Sequence, residues 1–394
     1  MNFPIRPHTH LLVIAGSRAY GIHTPTSDVD VKGVAVAPKS FYLGFGQNFQ
    51  QADSPEHIAT FTDLLTENEQ QITRDTKLEG TIYELRKFVE LCAASNPNLL
   101  DLLFARNQDV RLQTPIGQKL REYADIFISA RCKFSFAGYS ASQMKRVRHH
   151  RAWLLSPMEQ EPYRKDFGLP ERTLIPADQL AAANAAVVKK LDTWEFNFTG
   201  IPDAEGMRLR QEYEDYLTEM SAALGFRGVT DPVADMKWLG ACRSVGLTDN
   251  LILVLQKERE YENARRQWQQ YQTWKKNRNP ERAAMEAKYG YDLKHSTHLV
   301  RLLRQAKEIL TTGKVHVWRG PNPDDPSAPN DAEELLAIRN GSKSYDEIVD
   351  WADKQDAELN LLYNSKQYVI PKTPDQDKIN NLTIDLIETA LSMQ

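Results

Sequence analysis

The sequence predicts an α/β protein whose strands gather in its first third and whose remainder is largely helical. Three observations carry this. The apolar runs Leu11 to Ala15 and Val31 to Ala37 are short and lie on either side of a Gly-Ser turn, as buried strands do. Leu78 to Tyr83 supplies a third strand, after which Leu85, Phe88, Val89 and Cys92 switch to helical spacing. From Ala177 onward, helical patterns dominate.

Composition narrows the class. At 394 residues, 41% hydrophobic and 26% charged, the chain has core enough for two or three domains. A net charge of -4 excludes wholesale binding of polyanions, though not a local basic site. Cys92, Cys132 and Cys242 lie far apart without metal spacing, which predicts neither a disulfide framework nor a zinc site and fits a reducing cytoplasm. No apolar leader precedes the first strand, and no run is long enough to span a membrane, so neither secretion nor membrane insertion is expected.

The first strand ends on Gly16-Ser17, where a tight turn aims backbone N–H groups at an anion such as phosphate. Asp28, Val29 and Asp30 open the second strand. Residues two apart share a face of an extended chain, so Asp28 and Asp30 point together while Val29 turns to the core. Two like charges so placed call for a cation between them or a protonated carboxyl, and hard divalent ions such as Mg2+ take carboxylate oxygens. Lys39 to Ser54 reads as a loop whose Phe41, Tyr42, Phe45 and Phe49 stack on a base or pack on the sheet. Asn96-Pro97 marks a turn that starts a short helix through Leu103.

Ala124 to Leu155 reads as a long helix, or a helix pair interrupted near Gly138. Between Asp125 and Glu159 it contains no acid, while Lys145, Arg146, Arg148 and Arg151 are basic and aromatics are interleaved. A run of one sign is a solvated face or the footprint of a phosphate backbone, and the second is the expectation here. Ser156 to Pro176 is a Pro-rich connector. Helices are expected at Ala177 to Trp194, Ala204 to Leu224, Asp249 to Asn277 and Pro280 to Thr312. In the last, Lys294, His298 and Arg301 fall on one helical face and form a cationic stripe, with a basic surface helix as the bland alternative. His295 and His298 lack a third ligand nearby, which argues against zinc.

The strings GSRAYG and SDVDVKGV resemble the nucleotidyltransferase signature of the DNA polymerase beta superfamily. Within it they look like the branch of predicted nucleotidyltransferases, some of them encoded beside RNA ligase and kinase-phosphatase enzymes of RNA repair. The resemblance implies a small mixed-sheet polymerase-beta-like domain with a largely helical second domain. It divides the chain into a catalytic part at 1–125, a basic helix and connector at 126–176, and a helical domain at 177–394 that closes the cleft. It also implies that Gly16, Ser17 and Arg18 bind an NTP triphosphate, and that Asp28 and Asp30 hold two Mg2+ ions, for which Mn2+ can substitute. Glu79 stands where the family places a third carboxylate, with Asp63 or Asp75 as alternatives. Lys294, His298 and Arg301 sit on a segment similar to the family's K-H-x-x-H-x-x-R-L helix and would assist the phosphates. The reaction so implied is nucleotidyl transfer to a hydroxyl. An RNA 3′ end is the favoured acceptor, a protein or small-molecule hydroxyl the alternative, and a non-catalytic RNA-binding subunit a reading of another class. Association with RNA-repair enzymes is the implied partnership.

Overall fold

The computed structural model describes residues 3–45, 48–76, 78–173, 175–192 and 232–393. The expected helix Ala204 to Leu224 lies outside them. The chain forms two compact units, one made of Met1–Leu155 with Glu281–Gln394, the other of Ser156–Pro280.

The first unit is built on a five-stranded mixed sheet of order β3-β4-β2-β1-β5: β1 Thr9–Ala15, β2 Val29–Ala35, β3 Gln51–Ala52, β4 Leu78–Glu84 and β5 Val110–Gln113. β1, an interior strand between β2 and β5, is buried on both faces from Leu11 to Ala15, which is why it reads as a continuous apolar run. β2 begins in alternation: Val29 and Val31 are fully buried while Asp30 and Lys32 face the other way. β1 and β2 are antiparallel with Ala15 opposite Asp30, and β2 and β4 are parallel with Asp30 opposite Glu79.

Helices follow the strands where the sequence places their caps. Short α1, Gly16–Ala19, leaves β1, and Gly16 supplies the positive φ of 64° that the turn requires. After β4, the Glu84 carboxylate accepts the Lys87 backbone N–H and starts α2, Leu85–Ala93. Asn96 caps α3, Pro97–Leu103, with Pro97 at its first position. The tract expected to be a loop at 39–54 instead holds a helix, Lys39–Leu43, and the edge strand β3. Phe41, Tyr42 and Phe49 pack on the sheet and Phe45 is exposed.

The basic segment forms one continuous helix, α4, Cys132–Leu155, rather than an interrupted pair. Gly138 sits in its interior at a cost of about 1 kcal/mol relative to Ala, too little to break a helix of this length. Nothing lies within 4 Å of where a Gly138 Cβ would be, so packing does not require the glycine. The predicted helix Pro280 to Thr312 is two: Pro280–Tyr289, and α5, Leu293–Thr312. Gly290, at φ 77°, breaks the run, and buried Asp292 restarts it by accepting the His295 backbone N–H.

α5 packs against α4 in the same unit as the sheet. His150 meets Asp292 and Arg146 meets His295, so later residues of α4 face earlier residues of α5 and the two run antiparallel. Apolar side chains bury most of α5, so the helix is interior rather than a basic surface element. This is also why the expected boundaries near 125 and 176 do not coincide with the units. The basic helix and the later part of the expected helical domain, from Glu281, belong to the unit of the strands, while its start lies in the other unit, and the break falls at 155/156 and 280/281.

The second unit has its own core, Val187, Trp238, Ala241, Cys242, Ile252 and Leu255, from helices Ala177–Asp192, Pro232–Ser244 and Asp249–Asn277. A two-pronged ion pair from Arg164 to buried Glu258 ties its Pro-rich segment to the long helix. Among the described residues, no helix is long and apolar enough to cross a membrane. The three cysteines are free and buried.

Candidate active site

A cavity of about 470 Å³ opens where β1, β2 and β4 end beside α1 and α5, and its walls include Gly16, Asp30, Glu79, Asp53, Lys32 and Arg301. Strand register brings the acids together: Asp30 and Glu79 stand side by side on parallel neighbours. Asp28 precedes Asp30 by two residues and is exposed. Burial pushes the Asp30 carboxyl above the usual carboxylate range. Lys294 and Lys32 oppose the shift, while Glu79 and Asp28 add to it.

Gly16 is required for a reason beyond its φ. A Cβ there would lie 2.0 Å from Asp30 Oδ2 and 3.0 Å from its Cγ, so the carboxylate rests against the bare Cα of the turn. Ser17 follows in the first turn of α1 and is half-buried. Arg18, expected at the phosphates, makes two bonds to the backbone that leads into β2. Its Nε donates to the Asp28 carbonyl at 3.1 Å and its Nη2 to that of Ser27 at 2.8 Å, pinning the approach to β2 against α1.

The cations expected on one stripe divide into three kinds. Arg301 is buried, with its guanidinium carbon 3.7 Å from the Tyr20 ring centre, its Nη1 3.8 Å from Asp101 Oδ2 and a bond from Nη1 to Gln305. The Tyr20 hydroxyl donates to Asp101 at 2.7 Å, so the residue that ends α1 and an acid of α3 together fix this arginine. Its Nε is buried without a partner, a deficit of about 1 to 3 kcal/mol that an incoming acceptor oxygen would relieve. Lys294 keeps solvent contact and acts on Asp30 and Asp28. Its own pKa is lowered by desolvation, then by Arg282 and Arg339. His298 is no cation: burial, reinforced by Arg301, Lys294, His295 and Arg339, holds its pKa well below the ordinary imidazole value, so it is neutral at pH 7.

Several participants escaped the sequence. Lys32 lies on the Asp30 face and donates to the Asn98 carbonyl at 3.2 Å, and strand alternation two residues past Asp30 would have found it. Asp53 joins the cavity because β3 pairs with β4, and Arg339, bonded to the Ile22 carbonyl, adds charge beside Lys294 and His298. Of the alternatives for the third carboxylate, Asp63 is taken by Arg6 through two bonds, and Asp75 ends the helix Glu67–Asp75. Glu79 remains the acid beside Asp30.

One group of potential metal ligands, His150, Glu286 and Asp292, has its ligand atoms within 4.8 Å of one another, and Asp28, Asp30 and Glu79 do not make so tight a group among the described residues. Both carboxylates of that group are already engaged by one cation, because the Arg282 guanidinium bonds Glu286 at 2.8 Å and Asp292 at 2.5 Å. Carboxylates brought together on neighbouring strands, one desolvated, the cradle of Gly16 and an all-oxygen donor set fit Mg2+ in the first cavity.

The basic residues of α4 do not share a face. At 100° per residue, Arg146 turns away from Arg148 and Arg151. Lys145 and Arg148 are exposed, and Arg146 reaches His295 at 3.4 Å. Arg151 is committed to structure, donating to the Gly290 carbonyl at 3.0 Å with its guanidinium over the Tyr345 ring.

Sheet order, the Gly-Ser turn and the acids on parallel neighbours define a polymerase-beta-like nucleotidyltransferase fold. Residues 8–158 match the family described as RNA repair pathway DNA polymerase beta family, which bears out the resemblance drawn from GSRAYG and SDVDVKGV and its RNA-repair branch. The match takes in the sheet, Asp28, Asp30, Glu79 and all of α4, and stops short of α5. Neither a curated protein nor a solved structure matches the chain.

Proposed function

We propose that the protein is a Mg2+-dependent nucleotidyltransferase that moves a nucleoside monophosphate from an NTP to the 3′ hydroxyl of an RNA and releases pyrophosphate. The observation that carries this is Asp30 lodged against the Cα of Gly16 and flanked by Glu79 across the strand pair. The family match supports the reading. Asp28, Asp30 and Glu79 would hold the metal ions, which when bound supply charge neutralisation to the phosphates.

The chain's own groups then have distinct work. Gly16 and Ser17 offer the turn to the β- and γ-phosphates, and Lys294, Lys32 and Arg301 balance charge around them. The acceptor oxygen attacks the α-phosphorus and the bond to pyrophosphate breaks. Glu79 takes the hydroxyl proton.

The test incubates the protein with each labelled NTP and Mg2+, offering RNA, then protein, as acceptor. Asp28→Asn or Asp30→Asn should lower transfer by on the order of a thousandfold with the fold intact. Near-normal turnover by either variant would refute the site. Label appearing in protein rather than RNA would refute the acceptor.

A further inference from the structure

A second cavity, of about 790 Å³, lies between α4 and α5 and shares Asn98, His298 and Arg301 with the first. The two differ in charge. The first contains Asp30, Asp53 and Glu79, whereas no acid lines the second, where Arg146, Lys294 and Arg301 stand among neutral polar groups such as Ser142 and Gln143. Its size suits one nucleotide rather than a metal or a water.

Resting on the nucleotidyl-transfer reading, we infer that this second cavity receives the terminal nucleotide of the acceptor RNA. In-line phosphoryl transfer places the attacking and leaving oxygens on opposite sides of the phosphorus, so donor and acceptor must approach from opposite directions. Two cavities meeting at one wall provide that arrangement. The donor phosphates need the Gly16 turn and the acids, which belong to the first cavity alone. That leaves the second for the acceptor, whose backbone phosphate meets the cations. The unpartnered buried Nε of Arg301, at the shared wall, points independently to an oxygen ligand there.

Gly138 gives the cavity a sequence signature. It lies inside a helix with no positive φ and no neighbour within 4 Å of a Cβ, yet it lines this cavity. Its missing side chain therefore keeps space open on the α4 wall, opposite the stretch of α5 near Arg301 and Leu302.

The experiment uses the whole 394-residue chain and its Gly138→Trp and Ser142→Trp variants, the second placing bulk one helical turn along the same wall. Ala141→Trp, exposed on α4 and outside the cavity lining, is the control. Binding of a fluorescent single-stranded oligoribonucleotide and of Mg2+ with a non-hydrolysable ATP analogue is measured separately. The Gly138→Trp and Ser142→Trp variants should lose tenfold or more in oligoribonucleotide affinity and keep analogue affinity within twofold, with Ala141→Trp unchanged in both. Loss of analogue binding with the oligoribonucleotide retained would overturn the inference and assign the cavity to the donor. Unchanged binding of both ligands by the folded Gly138→Trp and Ser142→Trp variants would overturn it outright. Wild-type protein that transfers nucleotide to RNA while these two variants bind RNA normally refutes the cavity assignment alone. Wild-type protein without any transfer refutes the function on which the assignment rests.

Discussion

Substituting Gly16 by Ala adds one methyl group at the point where turn and acid meet. An ideal Cβ would stand 2.0 Å from Asp30 Oδ2, whereas carbon and oxygen approach to about 3.3 Å even in their closest attractive contacts. The carboxylate must therefore retreat by about 1.3 Å, or the turn must open by as much. The φ of 64° adds a second penalty, about 1 to 2 kcal/mol for an L side chain in the left-handed region. A displacement near 1 Å of a group that sets reacting geometry costs about a hundredfold in rate, which corresponds to about 2.7 kcal/mol of barrier.

The expected result is a transfer rate reduced about a hundredfold in a protein destabilised by only 1 to 2 kcal/mol, read from single-turnover transfer beside urea unfolding. Gly117→Ala is the control. Its Cβ would stand 2.1 Å from the His10 carbonyl oxygen, at the far end of β1 from Gly16, so it should lower stability without slowing the folded fraction. Transfer by Gly16→Ala within threefold of wild type would refute the idea that this glycine seats Asp30.

Acid should destabilise the protein before its carboxylates titrate. Burial lowers the pKa of His8, His10, His23, His295, His298 and His316, so the unfolded chain binds protons that the folded one refuses, and stability falls as pH drops below about 6.5. His10, lowered to about 4, accounts for up to about 3 kcal/mol of that loss, and His10→Gln should flatten the decline in urea melts between pH 7 and 5. The depressed carboxyls of Glu69 and Asp331 lose their contribution only at lower pH, so a flat profile above pH 5 would contradict the assignment. Asp292→Asn keeps a capping oxygen for His295 but removes the charge facing Arg282 and His150, and should cost about 3 kcal/mol in the same melts. A loss under 1 kcal/mol would show that the cluster is not coupled to stability. If exposed Lys145 and Arg148 contact an RNA backbone, replacing both by Gln should flatten the log-log salt dependence of RNA binding by about 1.4, at about 0.7 per contact. Unchanged affinity and slope would make them a solvated face.

What the sequence made legible follows from where the determining interactions are local. The strand cores, the Asn96-Pro97 cap and the Asp28/Asp30 alternation depend on neighbours within a few residues, and β1, β2, β4 and α3 appear where periodicity and capping place them. Glu79 was reachable because it stands at a strand position that the register then sets beside Asp30. The cationic stripe of α5 was legible as spacing but not as chemistry. Spacing says that Lys294, His298 and Arg301 share a face and nothing about depth, and depth decides charge. Arg301 is held buried by Tyr20 and Asp101, partners 281 and 200 positions away, while burial among like charges leaves His298 neutral. The same limit applies to the acid-free run of α4. Composition counts Arg146 and Arg151 alike, but packing against α5 sets Arg146 beside His295 on the second cavity and ties Arg151 to the Gly290 carbonyl. A charge run therefore marks a helix that carries phosphate-binding groups without saying which of them remain available. The antiparallel packing of α4 on α5 decides that, and it also leaves Gly138 facing open space.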